Sequence, residues 1–153
     1  MKIISAFLVS FICVQIFACS KNNEVEPLNN ADTTATNTSK MKITIGASVF
    51  IATLNNNATV TAFKAMLPLT LTMNDLNNNE KFFHFQTTLP TNASVGGAIQ
   101  TGDLMLFGNN SLVLFYENFN TSYSYTKLGR IDNISGLVTA LGSGNAVVKF
   151  ELQ

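Results

Sequence analysis

The residue types best suited to chemistry are scarce in this sequence. It has one histidine, His84, and one arginine, Arg130, among nine basic and nine acidic side chains. A lone histidine with no second histidine or thiol nearby in sequence is a poor nucleus for a metal site. A single arginine and a balanced charge give no basic stripe for phosphate or nucleic acid. We therefore predict no metal, no cofactor and no nucleic-acid partner.

Two catalytic arrangements can be written from the polar residues. Ser111, His84 and Asp103 would form a nucleophilic triad, but no nucleophile-elbow sequence surrounds the serine. A carboxylate pair for glycoside hydrolysis would have to come from the acids Glu80, Asp103, Glu117 and Asp132. Nothing in the spacing of these acids selects a pair. The sequence therefore predicts no catalytic residue.

Both cysteines, Cys13 and Cys19, lie near the N-terminus. Lys2 supplies a positive charge, and residues 3–18 form an apolar run that is short for a membrane span. This combination is typical of a secretory leader. The run ends in Ile16-Phe17-Ala18-Cys19, which resembles the bacterial lipobox.

Residues 1–18 are therefore predicted to be a lipoprotein signal peptide, with Cys19 as the lipid-bearing first residue of the mature protein. Cys13 would leave with the leader, so the folded part would hold no disulfide, zinc cage or cysteine nucleophile. Two or three acyl chains on Cys19 would give stable attachment, because each buried methylene contributes about 0.8 kcal/mol. The membrane is then a partner through the lipid on Cys19. The expected location is the bacterial cell envelope, at the outer membrane.

The composition changes at residue 41. Residues 19–40 are rich in Asn, Thr, Ser and Ala and have almost no large apolar side chain, so they predict a disordered tether. From Met41 onward polar and apolar residues alternate as they do in strands. Residues 41–153 are long enough for one core and are predicted to form a single domain.

Segments bounded by Asn and Gly turns predict the strands of this domain. They lie at 41–45, 49–54, 69–73, 80–86, 103–107, 112–117, 125–131 and 146–152. Helical spacing predicts two short helices, one from Val60 to Leu67 and one from Ile134 to Leu141. Many strands with two separated helices indicate a mainly β fold, a closed β-barrel capped by two short helices.

Three parts of the domain resemble cyclophilins. The segment 125–131, followed by a helix over 136–141, resembles the cyclophilin strand His-Val-Val-Phe-Gly-Lys-Val that leads into a helix. Segments 102–106 and 111–115 resemble the strand pair written Gly-x-Leu-Ser-Met and Ser-Gln-Phe-Phe-Ile, and Phe83-His84-Phe85 resembles Phe-His-Arg of the catalytic strand. The resemblance spans about residues 41–153. It implies a cyclophilin-like barrel, as in bacterial cyclophilin-like lipoproteins.

Cyclophilins accelerate prolyl rotation with an arginine whose hydrogen bonds weaken amide resonance in the twisted state. By the resemblance, Phe85 falls where that arginine should be, Leu112 where a glutamine should be and Tyr125 where a histidine should be. Arg130 matches a lysine on another part of the family's strand. The resemblance thus implies an apolar cleft without the catalytic donor.

The candidate cleft combines the matched strands with the polar, tyrosine-containing segment that follows them. Its predicted residues are Phe83, His84, Phe85, Leu112, Leu114, Tyr116, Tyr123, Tyr125 and Arg130. Tyrosines in a polar segment offer flat, hydrogen-bonding surfaces for a peptide or small-molecule ligand, although a solvated loop is the commoner explanation.

Three classes of function follow from these residues. The first is a noncatalytic peptide- or ligand-binding module anchored in the cell envelope. The second is a weak or divergent peptidyl-prolyl cis-trans isomerase, and the third is an enzyme of unknown type that uses the barrel cleft. We favour the first, because an aromatic cleft without a preorganised donor can hold a ligand but has little means of stabilising a transition state.

Overall fold

The computed structural model describes residues 39–153, which form nine strands and two helices. The strands are β1 (Lys40–Ile45), β2 (Ser48–Leu54), β3 (Leu69–Leu76), β4 (Glu80–His84), β5 (Ser94–Ile99), β6 (Asp103–Phe107), β7 (Ser111–Phe115), β8 (Phe119–Ile131) and β9 (Ala146–Leu152). The helices are α1 (Ala58–Lys64) and α2 (Leu137–Leu141). The predicted signal peptide, Cys19 and the tether up to residue 38 lie outside the described residues.

Eight of these strands close into a ring. They follow one another in the order β2-β1-β9-β3-β4-β7-β6-β8, and β8 pairs back onto β2. β5 pairs with β8 at the end of this order and lies outside the ring. Every pair is antiparallel. The prediction of a mainly β fold with two short helices is confirmed.

Successive side chains of each strand point to opposite faces, so every second side chain points into the ring, where an apolar core forms. This core includes Met41, Ile43, Leu54, Leu104, Leu112, Leu114, Val148 and Phe150. The helices add Val60 and Phe63 from α1 and Leu137 and Leu141 from α2. The helices therefore belong to the same core as the strands.

Both helices differ slightly from their predicted bounds. α1 begins after Asn57, whose side chain accepts a hydrogen bond from the backbone N–H of Val60 at 2.9 Å, as an N-cap does. α2 is shorter than predicted because Gly136 adopts a φ of +80° and starts the helix only at Leu137. Neither described helix is long and apolar enough to cross a membrane.

The strands also differ from the sequence prediction, by one additional strand and by shifted boundaries, of which the starts of β8 and β1 matter most. β5 was not predicted, because its sequence contains two glycines, which strands disfavour. β8 begins at Phe119 rather than at residue 125, because the polar residues 119–124, read from the sequence as a loop, pair with β5. β1 begins at Lys40, which lies opposite Thr53, so the end of the predicted tether belongs to the sheet.

The ring closes where β8 crosses β2, with Gly129 opposite Leu54. A Cβ at Gly129 would collide with the backbone carbonyl oxygen of Thr53 and would lie 3.0 Å from the Cα of Leu54. The glycine is therefore required by the close approach of two backbones. It is also the glycine that the cyclophilin resemblance aligned.

A buried ion pair within the β3–β4 hairpin also contacts the segment between α2 and β9. The side chain of Lys81 is fully buried, and its ammonium contacts Asp75 at 2.5 Å and the carbonyl oxygens of Gly142 at 3.0 Å and Gly144 at 2.5 Å. The Tyr116 hydroxyl donates to the same carboxylate at 2.7 Å. Hydrogen bonds from Lys81 and then Tyr116 lower the pKa of Asp75 below its ordinary value. All charged members of the cluster are thus paired, as burial requires.

Replacement of Gly129 by alanine should open the ring at its closure. We expect Gly129→Ala to reduce the free energy of unfolding by roughly 3 kcal/mol, at the upper end of overpacking costs, because the clash is with backbone that cannot move aside. Gly46→Ala is the matched control: its φ is +57° with nothing within 4 Å of an added Cβ, so its cost is the left-handed strain alone, roughly 1–2 kcal/mol. Urea unfolding of the full chain measures both. Equal losses would contradict the closure argument.

Candidate functional site

A cleft of about 540 Å³ lies on the outer face of the ring. Its floor consists of outward side chains of neighbouring strands, and β8 and the β3–β4 turn form its sides. The lining residues are Leu76, Asn77, Asn79, Glu80, Phe82, His84, Phe107, Ser111, Val113, Phe119, Asn120, Thr121, Tyr123 and Tyr125. More than half of these side chains are aromatic or carry hydrogen-bonding groups, which is typical of a ligand site.

The floor is built from cross-strand neighbours. His84 of β4 lies opposite Ser111 of β7, Ser111 opposite Phe107 of β6, and Phe107 opposite Tyr125 of β8. Because directly opposite residues in antiparallel strands share a face, these four side chains form one row across the outside of the ring. The next row begins with Phe82 and Val113, which also line the cleft.

One wall of the cleft is the β5–β8 ribbon, which consists of β5 and residues 119–125 of β8. It folds back over the outer face, where Phe119 and Tyr125 meet Phe115 with ring centroids 5.6 and 5.5 Å apart. Gly96 permits this packing, because a Cβ there would lie 2.8 Å from Thr121. The ribbon therefore sits on a small second core outside the ring.

Aromatic rings continue from this second core to the mouth of the cleft. Tyr125 packs against Phe107 at 5.4 Å, and Phe107 packs against Tyr123 at 6.0 Å in an edge-on arrangement. Tyr123 is 65% exposed and Phe107 is 44% exposed, so both offer ring surface to solvent. Rings of this kind supply large contact area at little cost in conformational entropy.

One edge of β8 borders the cleft without a partner strand. Residues 119–124 pair with β5 on one side, whereas β6 pairs only with β8 residues from Tyr125 onward, among the strands described. Three consecutive residues, 119 to 121, line the cleft. Because successive side chains in a strand point to opposite faces, such a run places the strand's edge, with its backbone groups, along the cleft.

A buried carboxyl group lies inside the cleft. Glu80 is only 8% exposed, and it lies opposite Phe115 on the outer face of β4. No hydrogen bond or ion pair to its carboxyl group occurs within residues 39–153. Burial raises the pKa of Glu80 above its ordinary value of 4.5. The pKa of Tyr125 is raised above its ordinary value, first by burial of the tyrosine and second by the charge of Glu80.

The turn next to Glu80 contains one enclosed, unsatisfied acceptor. The side-chain oxygen of Asn79 is buried and has no hydrogen-bond donor among the described residues. Asn79 closes the β3–β4 turn, in which Asn77 and Asn78 adopt φ values of +53° and +54° as a tight hairpin turn requires. Residues 77–79 of the turn therefore bring no cationic side chain to Glu80.

His84 and Ser111 form a hydrogen-bonded pair, with Nδ1 and Oγ 2.9 Å apart. A catalytic pair of this type needs a carboxylate that orients the histidine. Asp103 does not fill this role, because its carboxylate accepts from the backbone of Gln100 and lies 3.7 Å from the guanidinium of Arg130. The arrangement can bind a polar group but has no orienting acid.

The structure divides the sequence-predicted cleft residues into three groups. His84, Tyr123 and Tyr125 line the cleft together. Phe83, Phe85, Leu112, Leu114 and Tyr116 pack in the interior core or against it. Arg130 borders a separate, shallower pocket with Gln100 and Asn118, and donates to the Gln100 side chain.

The division follows from strand parity. The cyclophilin resemblance assigned the catalytic positions to Phe85 and Leu112, but both side chains point into the ring, where they are 5% and 0% exposed. Their neighbours His84 and Ser111 point outward into the cleft. A shift of one residue in a strand moves a side chain to the opposite face. The outward pair at this point of the strands is therefore a histidine and a serine, and the next outward pair is the apolar Phe82 and Val113.

Several lining residues were missed from the sequence, notably Glu80, Asn79 and Phe119. Glu80 and Phe82 have the same parity as His84 on one strand, so alternation from His84 would have placed them on its face. Phe119 and Asn79 have no such signal, because the ribbon and the turn bring them to the cleft. No group of three or more histidine, cysteine or acidic side chains suited to a metal occurs in the part of the chain described.

Comparison with known proteins identifies the fold. A family model described as the cyclophilin-like family matches residues 43–151. The solution structure of the hypothetical protein AF2241 from Archaeoglobus fulgidus superposes with a TM-score of 0.54 at 18% identity, over 76% of this chain and 95% of that one. No curated protein matches the chain. On the family match, which covers most of its length, this chain belongs to the cyclophilin-like family.

Proposed function

We propose that this chain is a noncatalytic peptide-binding module, held at the bacterial cell envelope by a lipid on Cys19. The observation that carries the binding role is the outer-face cleft, where an unpaired strand edge runs beside exposed aromatic rings. A strand edge offers alternating N–H and C=O groups to an extended peptide, and pockets beside it select alternate side chains.

The dimensions of the cleft suit this mode of binding. Residues 119–124 supply a free edge long enough for about three alternating hydrogen-bonded residues of an added strand. Phe107 and Tyr123 stand beside that edge and would cover the side chains of the bound segment. About 540 Å³ accommodates a few side chains, within the range of small-ligand sites.

The noncatalytic part of the proposal rests on the absence of a cationic hydrogen-bond donor from the described lining of the cleft. The lining of the cleft contains no arginine or lysine. Arg130 is held by Asp103 and Gln100 at another pocket. Prolyl rotation has a barrier of roughly 20 kcal/mol, and lowering it requires groups that bind the twisted state more tightly than the planar one. His84, engaged with Ser111, has no charged partner for such a task.

The first prediction concerns peptide binding. Blocked heptapeptides of Ser, Thr and Val, with lysine, norleucine or glutamate at the central position, should bind the purified full chain in calorimetric titrations. Tyr123→Ala should weaken the tightest of these complexes about tenfold, since central aromatic contacts dominate binding energy. Val147→Ala serves as control, because Val147 on β9 is 58% exposed, close to the 65% of Tyr123, and does not line the cleft. No binding by any peptide would contradict the proposal.

A second prediction is the absence of isomerase activity. The full chain should leave the cis-to-trans rate of a prolyl test peptide unchanged, because the cleft has no charge-assisted donor. His84→Arg is the informative variant, since His84 faces the cleft whereas an arginine at Phe85 would be buried in the core. Acceleration by the unmodified chain comparable to that of an active cyclophilin would overturn the noncatalytic assignment.

A third prediction addresses the anchor. Cys19→Ala should abolish metabolic labelling with a radioactive fatty acid and release the protein from the membrane fraction, because the thiol is the acceptor of the lipid. Cys13→Ala is the matched control and should keep both properties, since residue 13 would leave with the leader. Labelling that persists in Cys19→Ala would rule out the anchor at this residue.

A further inference from the structure

The cleft contains a carboxyl group that no cationic side chain of residues 39–153 neutralises. Glu80 is 92% buried, and the pocket around it holds no lysine or arginine. The contrast with the other buried charge is direct, because Lys81 on the opposite face of the same strand contacts Asp75 and two backbone carbonyl oxygens. A buried carboxyl group is either protonated or paired with a cation, so one without a partner inside a ligand cleft is suited to a cation that comes from outside.

The position of Glu80 makes its carboxyl group available to a ligand. Glu80 is the first residue of β4 and lines the cleft, directly after Asn79 of the β3–β4 turn. Its carboxyl oxygens are not among the fully enclosed, unsatisfied side-chain atoms of residues 39–153, so they can be reached from the cleft. A reachable carboxylate without a cationic partner matches a ligand that brings N–H donors and a positive charge.

The aromatic rings around Glu80 favour the same ligand. Phe115 lies opposite Glu80 across the strand pair and contacts both Phe119 and Tyr125. The faces of aromatic rings attract cations, and this attraction grows when water is excluded. A carboxylate among aromatic rings therefore favours an organic cation over an anion or a neutral polar group, which would leave the carboxylate unpaired.

From these contacts we infer that the cleft is a recognition site for a basic side chain: the ammonium of a lysine in an extended peptide binds between Glu80 and the aromatic rings. This inference rests on the proposed function and specifies the chemical class of its ligand. A metal ion is a poor alternative, because one carboxylate and one amide oxygen are far from the six to eight oxygen ligands that calcium takes.

The test compares the three blocked heptapeptides, which differ only at the central residue. Norleucine matches the length of lysine without the charge, and glutamate reverses the charge. We expect the lysine peptide to bind the full chain about tenfold more tightly than the norleucine peptide, and the glutamate peptide to bind more weakly still. In Glu80→Gln, which keeps the shape of the side chain and removes its charge, the preference of lysine over norleucine should disappear.

Glu117→Gln is the matched control for Glu80→Gln. It removes the same charge from an exposed glutamate that does not line the cleft, and the lysine preference should be retained. Equal loss in both variants would mean that net charge, and not the site, governs binding, and would overturn the inference. Retention of the preference in Glu80→Gln would overturn it as well.

The inference and the proposed function fail in different ways. If all three peptides bind equally and Tyr123→Ala weakens each of them, the peptide-binding role stands and the cation site is wrong. If none binds, both are wrong. A titration with n-butylammonium separates the sources of the cation: affinity equal to that of the lysine peptide, abolished by Glu80→Gln, supports the cation site and overturns the peptide as its ligand.

Discussion

The close approach of β8 to β2 at Gly129 is the constraint on which the rest of the architecture depends. A sheet of eight strands with a buried inner face has to protect both of its edges, and pairing the last strand with the first removes them. That pairing covers only residues 129–131 of β8, so the two backbones must come close over a short span. A side chain at Gly129 would keep them apart.

The same strand creates the cleft, because β8 extends beyond the residues that pair within the ring. Its second half closes the ring, while residues 119–125 continue as the ribbon that carries β5 across the outer face. The ribbon buries Phe115 and Ile99 in a second core and leaves Phe107 and Tyr123 partly exposed at its margin. The cleft is thus the space between the outer face of the ring and the β5–β8 ribbon. Its floor and the wall formed by β8 are strands, which hold side chains more precisely than loops do.

The fold was more predictable from the sequence than the site. Apolar alternation and glycine or asparagine turns located most strands, because burial on one face imposes a period of two on the sequence. The cyclophilin resemblance added the closure, through the segment around Gly129. The site was harder, since the residues matched to the catalytic positions do not face the cleft: Phe85 and Leu112 point inward, and His84 and Ser111 point outward. The alternation of several neighbouring strands, taken together, would show which side chains face outward, whereas one short motif cannot.

Residues from distant segments were beyond such reasoning. Glu80 looks in the sequence like any acid after an asparagine-rich turn. Glu80 becomes a buried group only in the fold, where it lies opposite Phe115, on which Phe119 and Tyr125 of the ribbon pack. Pairing between β5 and β8 could not be foreseen, because glycines weaken the strand signal of β5 and its polar partner residues 119–124 read as a loop.

Glu80 gives the cleft a chemistry that the resemblance to cyclophilins did not imply. The resemblance implies, for the family's active site, an arginine that donates to the substrate, whereas Glu80 offers an acceptor beside aromatic rings. Burial without a partner costs folding free energy, and a hydrophobic residue of similar volume would avoid that cost. Keeping a carboxyl at this position is therefore unfavourable for the fold alone. The cost is offset when a ligand supplies the missing donors, and the polarity of the cleft then selects cations where the resemblance to cyclophilins implied only apolar contact.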